Sequence, residues 1–115
     1  MGIEVADNNT QSTEETLSFV GKKLQGRVKW FDRNIGFGFI TVINPDDIYE
    51  NIPTDAFAHY SEIFVVEEQY MYLVQGEYVE FTLNKAPETS NHEYQAEHIT
   101  GVADGKLMCE TRYEA

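Results

Sequence analysis

Apolar and polar residues alternate along most of the chain between Lys23 and Val102, and the alternation is interrupted by clusters of turn-forming residues. A period of two builds strands with one buried and one exposed face, and helical spacing is nearly absent. Runs at 24–31, 36–43, 56–60, 78–83 and 94–102 therefore predict an all-β domain over 23–102, with five short strands. Asp32-Arg33-Asn34 offers a tight turn between the first two, because Asp and Asn bond their own backbone. Asn44-Pro45-Asp46-Asp47 opens a long loop that runs to Asp55 with Pro53 as a second breaker, so a protruding segment is expected there. Segment 61–75 carries Ile63, Val66, Tyr70 and Leu73 at roughly helical spacing behind Ser61, and reads equally as a short helix or an irregular turn. The remaining segments read as a flexible acidic tail at 1–22 and a polar C-terminal tail at 103–115.

A length of 115 residues, 42% apolar and 24% charged, fits one globular domain and excludes wholesale disorder. No run approaches the roughly 20 apolar residues of a membrane span. The first residues carry Glu4, Asp7, Glu14 and Glu15 without a basic or apolar stretch, so no leader is expected and cytoplasmic residence is the default. The lone Cys109 agrees with a reducing compartment. Eight Lys and Arg against 20 Asp and Glu leave a net charge of −12, which by itself disfavours a polyanionic partner.

The aromatic residues point the other way. In Gly36-Phe37-Gly38-Phe39-Ile40, alternation sends Phe37 and Phe39 to one face and the glycines with Ile40 to the other. Glycine is a poor strand former, so its use twice beside two phenylalanines calls for a reason, of which close approach of another chain is one. Phe57 and His59 share a face in the third strand, as do Arg27, Lys29 and Phe31 in the first. Alternation places Trp30 with Val28 instead, unless a bulge re-aims it. Val28, Ile40, Val42, Val79, Phe81, Leu83 and Ile99 already fill a barrel this small, which leaves Trp30, Phe37, Phe39, Phe57 and His59 surplus to the core. An exposed aromatic patch beside basic residues suits stacking of unpaired nucleobases.

Gly26-Arg27-Val28-Lys29-Trp30-Phe31, then Gly36-Phe37-Gly38-Phe39-Ile40-Thr41, then Ala56-Phe57-Ala58-His59-Tyr60-Ser61 resemble the cold-shock domain family in order and spacing. The second segment is similar to its RNP1-type motif and the third to its RNP2-type motif. The resemblance covers about residues 24–102 and implies a five-stranded antiparallel OB-fold barrel that binds single-stranded RNA or DNA across strands one to three. By position it implies roles for Lys29, Trp30, Phe37, Phe39, Phe57, His59 and Tyr60, with Phe31 beside them and Tyr70 as a further stacking aromatic. Arg27 joins Lys29 as a phosphate contact. Ile35 stands where the family usually has lysine, which removes one such contact, and the 42–55 loop is longer than usual.

The expected activity is a low-specificity RNA chaperone or regulator of gene expression, acting as a monomer or weak dimer, with no cofactor and no metal. Cys109 has no patterned His partner, Ser61 and His59 lack a third orienting group, and His92-Glu93 and Glu97-His98 lack metal-ligand spacing, so no enzyme is expected. The alternative is a protein-interaction module that docks a basic protein partner on its acidic surface or long loop.

Overall fold

The structure, a computed structural model, describes residues 18–114. Five strands, β1 (Lys22–Asp32), β2 (Phe37–Ile43), β3 (Asp55–His59), β4 (Tyr78–Lys85) and β5 (Tyr94–Gly101), close into a barrel in the order β1-β2-β3-β5-β4. This is the all-β, OB-type architecture read from the sequence, with one refinement. Four of the five seams are antiparallel, but β3 meets β5 in parallel through Phe57 and Gln95, and Ile63 bridges Ile99 in the same sense. Directions around a ring of five cannot all alternate, so one parallel seam is a necessity of closure. β1 is the longest strand because it serves two neighbours, pairing from Gln25 to Asp32 with β2 and from Lys22 to Arg27 with β4.

Asp32 makes the β1–β2 turn as its chemistry predicts: its Oδ1 accepts the N–H groups of Asn34 (2.8 Å) and Ile35 (3.2 Å). In the long 44–54 loop the Asn44 side chain donates to the Tyr49 carbonyl and accepts the Tyr49 N–H, while Ile48 stands exposed. After β3 the chain forms one 3-10 turn, Tyr60–Glu62, and then runs irregularly to β4, which resolves the helix-or-turn ambiguity in favour of the turn.

Val28, Ile40, Val79, Phe81, Leu83 and Ile99 are buried in the barrel, and Val42 packs against it half-buried. Both ends contribute more than the pattern suggests. Phe19, which falls within the segment read as a tail, is fully buried and meets Tyr94 edge-on at 5.4 Å. Leu107 and Cys109 are buried as well, and the segment read as a polar tail forms the helix Met108–Glu114. Burying Phe19 and Leu107 contributes roughly 1.5–3 kcal/mol each. The rest of the acidic segment, residues 1–17, lies outside the described residues.

Two buried carboxylates fasten that helix. Glu110 accepts the Leu107 N–H at 2.8 Å, the reciprocal half of a capping box, and the Val66 N–H at 3.1 Å. Glu77 accepts Val74 N–H at 2.7 Å and Met108 N–H at 3.0 Å. Burial nevertheless pushes the Glu77 carboxyl above its ordinary range, so the folded protein holds this proton more tightly than the unfolded chain. The resulting stabilisation is complete below the unfolded value and is lost as pH rises through the elevated folded one. Between pH 7 and pH 4.5, urea midpoints are therefore expected to shift in favour of the wild type over Glu77→Gln as the solution is acidified.

Candidate nucleic-acid interface

The position of Trp30 depends on a single irregularity. Val28 pairs with Ile40, but the next partner of β2, Phe39, faces Trp30 rather than Lys29, so Lys29 is an extra residue in β1. Such a bulge reverses the inside–outside alternation beyond it. Trp30 turns outward to share a face with Phe39, and Phe31 turns inward opposite Gly38 to pack against the core. Phe31 is thus a core-facing residue, not a neighbour of the exposed rings as alternation without a bulge suggests. Gly38 makes this possible, because a Cβ there would lie 2.1 Å from the Trp30 carbonyl oxygen and 2.6 Å from the Phe31 Cα. The close approach that the glycines imply is that of the adjacent strand. Gly36 has a second reason, since its φ is +86° and a Cβ would press on the Tyr60 ring at 2.7 Å.

The outward rings form a continuous row. Trp30 lies 6.1 Å from Phe37 and 5.6 Å from Phe39, ring centre to ring centre, and Phe57 lies 5.5 Å and 5.7 Å from the same two rings. His59 continues the row 6.4 Å from Phe57, and Tyr60 adjoins His59 at 4.5 Å. Cross-strand pairing of Phe37 with His59 and of Phe39 with Phe57 fixes the register. Trp30 (37% exposed) and Tyr60 (46%) stand clear of the surface, and the rings between them are half-buried. The contacts of Trp30, Phe37 and Phe39 are tilted or edge-on, at 39° to 72°, so these rings do not cover one another's faces. Nδ1 of His59 accepts the Ser61 N–H at 3.1 Å and lies 2.8 Å from the Ser61 hydroxyl. In the neutral ring this leaves the hydrogen on Nε2, free for an acceptor on a ligand.

Tyr70 sits apart from the row. It contacts Tyr72 at 5.9 Å, its hydroxyl donates to the Arg33 carbonyl, and the Arg33 guanidinium lies 3.9 Å above the Tyr72 ring. With Tyr60, Ile35 and Met71 it lines a cleft of about 250 Å³, so Tyr60 joins the ring row to this second feature.

The basic groups are partly engaged already. Lys29 Nζ lies 2.9 Å from an Asp55 carboxylate oxygen, and Arg27 Nε donates to the Gly76 carbonyl at 3.1 Å with its guanidinium over Tyr78. Both line a shallow groove of about 290 Å³ beside Thr41 and Gln75. Among the described residues no group of three or more His, Cys, Asp and Glu converges as a metal site would require.

One residue escapes the sequence reading. His92, which the sequence offers only as half of a His-Glu pair without metal-ligand spacing, lies on Phe57 with ring centres 3.8 Å apart and planes 20° from parallel. Burial lowers its pKa below the ordinary imidazole value. No local signal marks it, since its position follows from the path of the β4–β5 loop.

The model of the 'Cold-shock' DNA-binding domain matches residues 24–102. Among curated proteins, the chain is 44% identical over 62 residues to protein lin-28 homolog B of Mus musculus, covering 54% of this chain and 24% of that protein. It is 34% identical over 98 residues to protein lin-28 homolog A of Xenopus tropicalis, covering 85% and 45%. It is 36% identical over 108 residues to protein lin-28 homolog A of Gallus gallus, covering 94% and 48%. The chain thus spans between about a quarter and a half of the length of these relatives.

Proposed function

The chain belongs to the cold-shock DNA-binding domain family, and we propose that it captures single-stranded RNA or DNA by stacking unpaired bases on its outward ring row. The observation that carries this reading is the unbroken series Trp30, Phe37, Phe39, Phe57 and His59 on one face of β1, β2 and β3, continued by Tyr60 in the turn that follows. Aromatic faces accept any base, so sequence specificity is low and duplexes, whose bases are already stacked, are excluded. Holding bases apart opposes pairing, and this makes the domain a non-catalytic RNA chaperone or regulator of gene expression.

Stacking contributes about 1–3 kcal/mol per base, so three or four bases supply roughly 3–12 kcal/mol before ordering costs, a range that includes micromolar affinity. This suffices against a net charge of −12, because exposed charges beyond about 8 Å are largely screened at physiological ionic strength. The test is a titration with a pyrimidine-rich strand of seven to ten nucleotides, read by the emission of Trp30, the only tryptophan. Saturating quenching with the strand and none with a duplex of equal length is expected. Absence of quenching at high micromolar strand overturns the reading in favour of the second one. In that reading the 42–55 loop, whose Ile48 is 61% exposed beside Asp46 and Asp47, docks a basic protein.

The ion pair at Lys29 yields a further expectation. A phosphate reaching Lys29 must displace Asp55, and an exposed pair of this kind is worth about 0.2–1 kcal/mol. Asp55→Asn should therefore tighten strand binding by up to about fivefold. It should also steepen the dependence of log K on log salt by about 0.7, the increment for one phosphate contact on a single strand. An unchanged slope would show that Lys29 does not reach the backbone.

A further inference from the structure

We propose that His92 gates the Phe57 stacking position: its imidazole occupies the ring face that a nucleobase takes, and a base enters only as the imidazole swings out. The inference rests on the single-strand reading above and adds a mechanism to it. The imidazole lies on Phe57 as a stacked base would, with nearly parallel planes 3.8 Å apart by ring centre, whereas the ring contacts of Trp30, Phe37 and Phe39 among the described residues are tilted or edge-on. Phe57 is also central, touching Phe37 and Phe39 on one side and His59 on the other. A strand that crosses from Trp30 to Tyr60 must therefore pass the position His92 fills.

The loop is built to let the ring move without the backbone. Ala86 N–H donates to the Glu93 carbonyl at 2.8 Å and closes the loop, and the Ser90 hydroxyl donates to the carbonyls of Pro87 and His92. Among the described residues the imidazole nitrogens of His92 make no hydrogen bond, so none has to break for the ring to leave Phe57. A cavity of about 310 Å³ lies alongside, lined by Phe57, His59, Ser61, Glu62 and Gln95.

Acid should open the gate. Burial disfavours the imidazolium in the stacked position, so protonation shifts the ring towards solvent. The titratable groups facing it across the cavity are His59 and Glu62, the latter with one carboxylate oxygen accepting the His98 N–H, and Glu93 is its chain neighbour.

The experiment uses the full chain, its His92→Ala and His92→Phe variants, and two probes: a thymidine heptamer and the same bases on an uncharged peptide backbone. Removing the competing ring in His92→Ala should tighten binding of both probes about three- to tenfold at pH 8, the equilibrium worth of one aromatic pair. Lowering the pH to 5.5 should tighten the wild type towards His92→Ala, also for the uncharged probe, where attraction of imidazolium to phosphate is absent. His92→Phe, which stacks and cannot be protonated, should lose this pH response. In proton NMR, the upfield shift of the His92 ring protons over Phe57 should vanish on saturation with strand. Weaker binding by His92→Ala, or His92 protons that stay upfield in the complex, would overturn the gate and leave the single-strand reading standing. No binding by any of the three proteins would instead overturn the single-strand reading, and the gate with it.

Discussion

Replacing Phe37 and Phe39 together by Ala is expected to weaken binding of a thymidine heptamer by at least about 30-fold while the domain stays folded. Each ring offers a face to one base, and two such stacks contribute about 2–6 kcal/mol, or roughly 30- to 10⁴-fold in affinity. The two rings stand on the outer surface, half-buried against Trp30 and Phe57, and the barrel interior of Val28, Ile40, Val79, Phe81, Leu83 and Ile99 does not include them. The four lost ring–ring contacts should cost about 0.5–1.5 kcal/mol each, which lowers the melting temperature but stays below the roughly 5–15 kcal/mol by which a domain this size is stable. Because Trp30 touches both deleted rings, affinity is best read from the anisotropy of a labelled strand, and folding from thermal melting. Phe64→Ala is the matched control, since that ring is half exposed but stacks on His98, apart from the row. Unchanged affinity in the double variant, or an equal loss in the control, would remove the ring row from the binding mechanism.

The strand pattern is legible because burial on one face imposes a period of two, and all five strands appear where alternation puts them to within about two residues at each end. Three things are not legible, each for a physical reason. The Lys29 bulge adds a residue without changing composition, so strict alternation sends Trp30 inward and Phe31 outward when the reverse holds. In this case family resemblance located Trp30 and the residue pattern did not. The chain ends look polar because most of their residues are polar, yet Phe19, Leu107 and Cys109 close the core individually, without a periodic neighbour to announce them. His92 reaches Phe57 through a contact 35 positions away in the chain, which only the closed barrel brings together. The resemblance also groups Tyr70 with the stacking aromatics, and the structure places it in a neighbouring cleft joined to the row through Tyr60.

Gly38→Ala is expected to be the most damaging single-methyl change in the barrel, lowering stability by at least about 3 kcal/mol. The added Cβ would lie 2.1 Å from the Trp30 carbonyl oxygen, 2.6 Å from the Phe31 Cα and 2.9 Å from the Trp30 carbonyl carbon. All three are backbone atoms held by the β1–β2 ladder, so no side-chain rotation relieves the contact. For a domain of this length the loss corresponds to a fall in Tm of about 12 °C or more. Gly21→Ala separates this steric effect from the general cost of replacing glycine. Gly21 has φ +82° but open space, with Asn84 Oδ1 the nearest atom at 4.0 Å, so its replacement should cost only about 1–2 kcal/mol of left-handed strain. The two variants differ in function as well. Escape from the Gly38 clash requires β1 to move away from β2 at the bulge, which is the element that turns Trp30 outward beside Phe37 and Phe39. Gly38→Ala should therefore lose strand binding along with stability, even at a temperature where the barrel persists, whereas Gly21→Ala should keep wild-type affinity. Equal melting temperatures for the two variants would show that the bulge yields cheaply, and the orientation of Trp30 would then need another cause.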